Sequence, residues 1–195
     1  MNAVLGGTFD PVHEGHLHLI QTLRERLGFK KFFVVPAGQN PLKSQSPFAA
    51  AQDRLEMVKL ALRPLGWEVV VLDWEVCAPP PSFTVSTLER MHREGMAPLT
   101  LVMGDDVYSG FESWRSPDRI RELARILVVT RNNSPDPLQR VETFSFNALP
   151  YSATALRKSL HNVWNSGDLT QRPKGLPEPV WAFIKKKKLY AESPT

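Results

Sequence analysis

Gly6-Gly7-Thr8-Phe9-Asp10-Pro11-Val12-His13-Glu14-Gly15-His16 is the stretch on which the fold turns. It follows the short apolar run Val4-Leu5 and runs into a helical pattern. Leu19, Leu23 and Leu27 recur four apart with Ile20 beside them, which predicts an amphipathic helix from about Glu14 to Leu27. Gly28 is its natural stop. Two glycines directly after a strand let backbone amides approach a ligand closely, and Pro11 fixes the turn. His13 and His16 then lie three apart on one side of the helix start. His16 shares its register with Ile20, Leu23 and Leu27, so it is expected to point toward the sheet at the helix's positive end. Free N–H groups and the helix dipole make that end an anion site. Two imidazoles there can donate hydrogen bonds to phosphate oxygens as charge develops in a transition state.

Outward from this loop, apolar runs alternate with helical patterns. Lys31-Phe32-Phe33-Val34-Val35 reads as a strand ended by Pro36, and a helix follows from about Phe48 to Leu62. Glu68 to Val76 reads as a strand, Thr84 to Arg93 as a helix closed by Gly95, and Leu99 to Met103 as a strand. Ile120 to Ala124 is short and helical, Ile126 to Val129 a strand, and Glu142 to Phe146 a weaker one. Ala153 to Val163 and Pro179 to Leu189 read as closing helices. Such alternation predicts an α/β, Rossmann-like, doubly wound and mainly parallel sheet with helices on both faces. Ligands of such sheets bind at the carboxyl ends of the strands. Chemistry is therefore expected in 6–16, 36–43, 104–114 and 130–133.

The 195 residues leave room for one domain with a substantial core, its C-terminal helical part beginning near 151. Hydrophobic residues make up 42% and charged residues 23%, ordinary for a globular protein. No stretch approaches the roughly 20 apolar residues of a membrane helix, and no signal peptide is read at the start. Cys77 is the only cysteine, so neither an intrachain disulfide nor a cysteine zinc site can form. A cytoplasmic protein is expected. The net charge of +4 suits anionic partners without choosing among them, and the run Lys185 to Lys188 reads as a solvated helix face.

The first loop is neither a Gly-x-Gly-x-x-Gly fingerprint nor a Walker A loop, and its two histidines have no third zinc ligand nearby. It resembles the signature of the His-x-Gly-His nucleotidyltransferase superfamily. Within it the chain resembles bacterial nicotinate-nucleotide adenylyltransferases over nearly its full length. Pro36-Ala37-Gly38-Gln39-Asn40-Pro41-Leu42-Lys43 resembles their proline-rich loop ending in lysine, and Arg54, Met57 and Ala61 resemble their second helix. Ser82-Phe83-Thr84-Val85 resembles their Ser-Tyr-Thr-Val segment, and Gly104-Asp105-Asp106 with Trp114 their Gly-x-Asp and tryptophan. Ser152-Ala153-Thr154-Ala155-Leu156-Arg157 resembles their Ser-Ser-Thr-x-Ile-Arg. Leu176 to Val180 and Leu189-Tyr190 resemble their C-terminal end. Ala153 and Phe83 depart from the family pattern, and neither removes a group the chemistry requires.

The resemblance implies transfer of an adenylyl group from ATP to nicotinate mononucleotide, giving deamido-NAD and pyrophosphate. It puts His16 and His13 on the triphosphate, with Gly7, Thr8 and Phe9 lending backbone contacts. Asp10 either orients the turn or touches ligand. Asp106, behind Gly104, would take the adenosine ribose hydroxyls, and Asp105 is expected in solvent. Ser152 and Thr154 open a helix with Arg157 one turn in. They would cap it and hold phosphate together. Lys43 would grip the acceptor's phosphate, with Arg131 a weaker candidate. Trp114, whose spacing alone favours a core residue, would stack on the pyridine ring. Phe83 and Thr84 would meet the nicotinate, its carboxylate falling to Thr84 and neighbouring N–H groups. Mg²⁺ would travel on the ATP phosphates, with no protein metal site. Two other readings are a different acceptor, such as nicotinamide mononucleotide or phosphopantetheine, and a non-catalytic nucleotide-binding regulator. No RNA-binding motif stands out, and oligomeric state is not legible.

Overall fold

The computed structural model describes residues 1–39, 46–66, 68–131 and 141–191, with Arg131 described by its backbone alone. Lys43 lies outside the described residues, as does most of the 39–47 stretch that its composition suggests as a lid. Six strands form one all-parallel sheet: β1 (Asn2–Gly7), β2 (Lys31–Pro36), β3 (Val69–Val71), β4 (Leu99–Gly104), β5 (Ala124–Arg131) and β6 (Glu142–Phe146). Their order is β3-β2-β1-β4-β5-β6. The chain thus reverses direction across the sheet between β1 and β4, the place where such folds open a crevice.

Period-two alternation sorts the strand residues into two cores. Ala3, Leu5, Phe32, Val34, Val102, Leu127 and Val129 belong to one, and Val4, Phe33, Val35, Leu101, Met103, Ile126 and Val128 to the other. The first is covered by α1 (Glu14–Leu27), α2 (Ala51–Leu62), α7 (Ala153–Ser166) and α8 (Glu178–Lys187) through Ile20, Leu23, Met57, Leu160 and Trp181. The second is covered by α4 (Thr84–Arg93) and α6 (Pro117–Leu123) through Leu88, Met91 and Ile120. Each such side chain, removed from water, contributes about 1.5–3 kcal/mol.

α1 and α4 keep their expected limits, and Gly28 ends α1 at φ 65 with its N–H on the carbonyl of Arg24. Two expectations are corrected. The strand expected from Glu68 to Val76 covers only Val69–Val71, and Trp74–Cys77 is a helical turn, α3. Val71 pairs with Val34, and two residues further along β2 stands Pro36, which has no N–H to continue the ladder. The helix expected from Phe48 begins at Ala51, because Ala50 stands at ψ 150 as its N-cap; ahead of it the N–H groups of Phe48 and Ala49 donate to the carboxylate of Asp10. A second short helix, α5 (Asp105–Tyr108), occupies what reads in the sequence as loop.

Candidate active site

A cavity of about 370 Å³ lies where β1, β2, β4, β5 and β6 end. Its wall includes Gly7, Thr8, Phe9, His13, His16, Thr84, Gly104, Asp106 and Trp114, nine residues expected from the sequence.

The two histidines are built by the helix start. His13 is the N-cap of α1, with extended backbone at φ −146. Its N–H donates to Nδ1 of His16 at 3.1 Å, and the N–H of His16 donates to the carbonyl of His13 at 2.9 Å. The rings lie 3.8 Å apart between centroids. An imidazole whose Nδ1 accepts from the backbone carries its proton on Nε2, so neutral His16 is a donor at that atom. A Cβ on Gly15 would come within 3.0 Å of the His13 ring, so glycine between the histidines lets that ring lie against α1.

Phe9 meets His16 edge-on at 5.0 Å. Its backbone has φ 50, the left-handed region, where a bulky residue carries about 1–3 kcal/mol of strain. Phe9 also lies across Gly7, where a Cβ would stand 2.9 Å from the ring. The neighbouring carbonyls are held: Arg54 Nη1 donates to Thr8 O, and Arg157 Nη1 to Asp10 O, each at 2.7 Å.

Asp10 was divided between turn and ligand, and the structure gives its carboxylate to the turn. It is 5% exposed, does not line the cavity, and accepts from Phe48 N, Ala49 N and Tyr190 Oη at 2.8, 3.1 and 2.7 Å. Burial, and then the Asp10 charge, push the Tyr190 hydroxyl far above its ordinary value. Burial pulls the Arg54 guanidinium down, opposed by Asp10 and Tyr190.

Trp114 lines the cavity and packs, partly buried, against Phe111, with ring centroids 5.4 Å apart. Thr84 opens α4 on the cavity wall. Phe83 is off that wall, its ring beneath the Arg115 guanidinium at 4.6 Å. Asp106 folds back over Gly104, where any Cβ would strike its carboxylate. Asp105 is off the cavity wall and partly exposed, its Oδ1 accepting from Asp106 N at 2.9 Å. Ser152 caps α7 by accepting from Ala155 N at 3.2 Å. Ser152, Thr154 and Arg157 stand outside the cavity wall, though the adjacent Tyr151 is on it. Arg157 spends its fork on Asp10 O and on Thr154 Oγ1, the latter at 3.3 Å.

Sequence reading missed Glu75, Thr87 and Tyr151, which also line the cavity. Thr87 Oγ1 donates to Glu75 Oε1 at 2.7 Å, and burial raises the Glu75 carboxyl, opposed by that bond. Thr87 one turn beyond Thr84 was the available signal. No group of three or more His, Cys, Asp or Glu suited to a metal ion occurs among the described residues. No helix among them is long and apolar enough to cross a membrane.

The cytidylyltransferase-like family model matches residues 4–159. A protein of Roseiflexus sp. (strain RS-1) named probable nicotinate-nucleotide adenylyltransferase is 34% identical over 194 residues, covering 96% of each chain. A protein of the same name from Aquifex aeolicus (strain VF5) is 40% identical over 132 residues, 67% of this chain and 77% of its own. Among solved structures, Plasmodium falciparum nicotinic acid mononucleotide adenylyltransferase complexed with NaAD has the same fold. It matches with a TM-score of 0.73 at 17% identity, covering 100% of this chain and 98% of that one.

Proposed function

This chain belongs to the cytidylyltransferase-like family, with relatives named nicotinate-nucleotide adenylyltransferase along its length, and on that premise we propose that it adenylylates nicotinate mononucleotide. A 5′-phosphate oxygen of the acceptor attacks the α-phosphorus of ATP. The bond from that phosphorus to the bridging oxygen of the β-phosphate breaks, pyrophosphate leaves with the electron pair, and deamido-NAD remains. The attacking oxygen is already anionic, so no strong base is required. Positioning and charge stabilisation supply the acceleration.

The observation that carries this reading is the His13–His16 pair at the N-terminus of α1, on the wall of a cavity that Thr84 and Trp114 also line. His16 Nε2–H donates to the phosphate as charge builds, with His13 and the amides of Gly7, Thr8 and Phe9 beside it. Asp106 receives the ribose hydroxyls. Trp114 stacks on the pyridine ring, and the start of α4 receives its carboxylate. Ser152, Thr154 and Arg157 complete the triphosphate end, and Lys43 and Arg131 take the acceptor's phosphate. Mg²⁺ arriving with the ATP would offset part of the phosphate charge, with no residue of the chain assigned as its ligand. We take residues 1–195 as one catalytic unit working in the cytoplasm.

The test is pyrophosphate release from ATP and Mg²⁺ with nicotinate mononucleotide, nicotinamide mononucleotide and phosphopantetheine offered separately. Fastest turnover with the first, and deamido-NAD as product, is the expected result. Turnover confined to another acceptor would keep the family and remove this substrate.

A further inference from the structure

Beneath the cavity, three side chains and two backbone N–H groups from distant segments converge on the first loop. Tyr190 Oη donates to Asp10 Oδ1 at 2.7 Å across 180 residues of sequence. Phe48 N and Ala49 N donate to the same carboxylate at 2.8 and 3.1 Å. Arg157 Nη1 donates to Asp10 O at 2.7 Å. Arg54, 1% exposed, donates from Nη1 to Thr8 O and Ala37 O at 2.7 Å each. It also donates from Nη2 to Gly38 O at 2.8 Å and from Nε to Ala49 O at 3.2 Å. The network therefore joins 8–10 to both 37–38 and 48–49.

Thr8 and Asp10 flank Phe9, and both of their carbonyls are held by arginines. Phe9 sits between them at φ 50 with its ring edge-on to His16 at 5.0 Å. A residue in that backbone region persists only where its surroundings over-determine it. Tyr190 reaches His16 by a short continuous path: one hydrogen bond to Asp10, one peptide unit to Phe9, and one ring contact.

We propose that Tyr190 and Arg54 are positioning residues of the reaction, holding Phe9 in its left-handed backbone and so fixing the His16 imidazole against the transferring phosphate. Neither lines the cavity, and their polar atoms are engaged with Asp10 and with the carbonyls of Thr8, Ala37, Gly38 and Ala49. The kinetic consequence rests on the adenylyl-transfer reading above, whereas the effect on the His16 ring does not.

Two conservative variants test this. Tyr190→Phe keeps the ring and removes the hydroxyl. Arg54→Lys keeps the charge and removes the fork. Ile120→Val is the control, a truncation at a 1% exposed position of α6 on the opposite face of the sheet. For each full-length protein, kcat, both KM values and the ¹⁵N shifts of the His16 imidazole without ligand are measured below the unfolding temperature. The expected result for Tyr190→Phe is a kcat lowered about 10-fold, KM for ATP within about 3-fold, and moved His16 shifts. Ile120→Val keeps kcat and shifts even though it too loses stability. A folded Tyr190→Phe protein with full kcat and unmoved shifts overturns the proposal. If Arg54→Lys does not fold, Tyr190→Phe decides alone. If the parent protein turns over no nicotinate mononucleotide, the substrate reading falls, and the shifts still decide: moved supports the positioning role, unmoved overturns it.

Discussion

The backbone N–H of His13 donates to Nδ1 of His16 at 3.1 Å, so the helix start itself sets which nitrogen of His16 carries the proton. Rotation of the His16 ring breaks that relation, and Gly15 lets the His13 ring lie close beside it. Gly15→Ala brings a methyl within 3.0 Å of the His13 ring. The expected outcome is a kcat lowered by roughly 10- to 100-fold with little change in melting temperature, since alanine favours the helix. Steady-state kinetics beside thermal unfolding check it, and an unaltered kcat would mean the His13 ring has room to yield.

Trp114 lies between the cavity and Phe111. Removing its ring by Trp114→Ala should raise KM for the acceptor about 10-fold or more, given stacking of roughly 0.5–1.5 kcal/mol plus lost burial. KM for ATP should stay within about 3-fold. Equal loss for both substrates would point to collapse of the wall rather than to stacking.

Glu75 lies on the cavity wall with its carboxyl raised above 4.5, chiefly by burial. A carboxyl raised on folding stabilises fully below its unfolded value, and that contribution is lost as pH climbs through the folded one. Glu75 therefore weakens the fold at neutral pH. Glu75→Gln, whose amide oxygen can still accept from Thr87, should be more stable than the parent at pH 7.5 and have a flatter stability profile from pH 4.5 upward. Urea unfolding across that range measures it. A variant destabilised equally at all pH values would contradict the sign.

Tyr190 works in the alkaline range. Its hydroxyl is raised from 10.0 by burial and by Asp10, so its stabilisation is complete below about pH 10 and fades as pH rises beyond that. Tyr190→Phe should lose about 1.5–3 kcal/mol at pH 7, the worth of a hydrogen bond to a charged group. The deficit should shrink at pH 11, as unfolding titrations at the two pH values would reveal. A deficit constant with pH would place the effect in ring packing.

Much of this was legible in the sequence, for physical reasons. The continuous apolar runs of β1, β2, β4 and β5 mark buried strands, and the four-residue spacing of Leu19, Leu23 and Leu27 marks a helix. Gly28 punctuates α1, and the limits of α1 and α4 fall where read. α3 and α5, four residues each, are too short to show any period. Phe48 and Ala49 look helical in sequence, but they precede the N-cap Ala50 and their N–H groups go to Asp10, 38 and 39 residues earlier. The loop histidines were readable because their neighbours in sequence are their neighbours in space. The roles of Asp10, Arg54, Glu75 and Tyr190 were not, because each depends on partners brought together only by the sheet and its covering helices.

The most direct measurement is single-turnover adenylyl transfer by His16→Ala beside the parent protein, with ATP affinity measured separately. The expected result is a chemical step slowed by about 10²–10³, the worth of one preorganised donor to developing charge, with ATP binding within a few-fold of the parent. Transfer at the parent rate would contradict the account, in which the His16 imidazole is the principal donor to the developing charge.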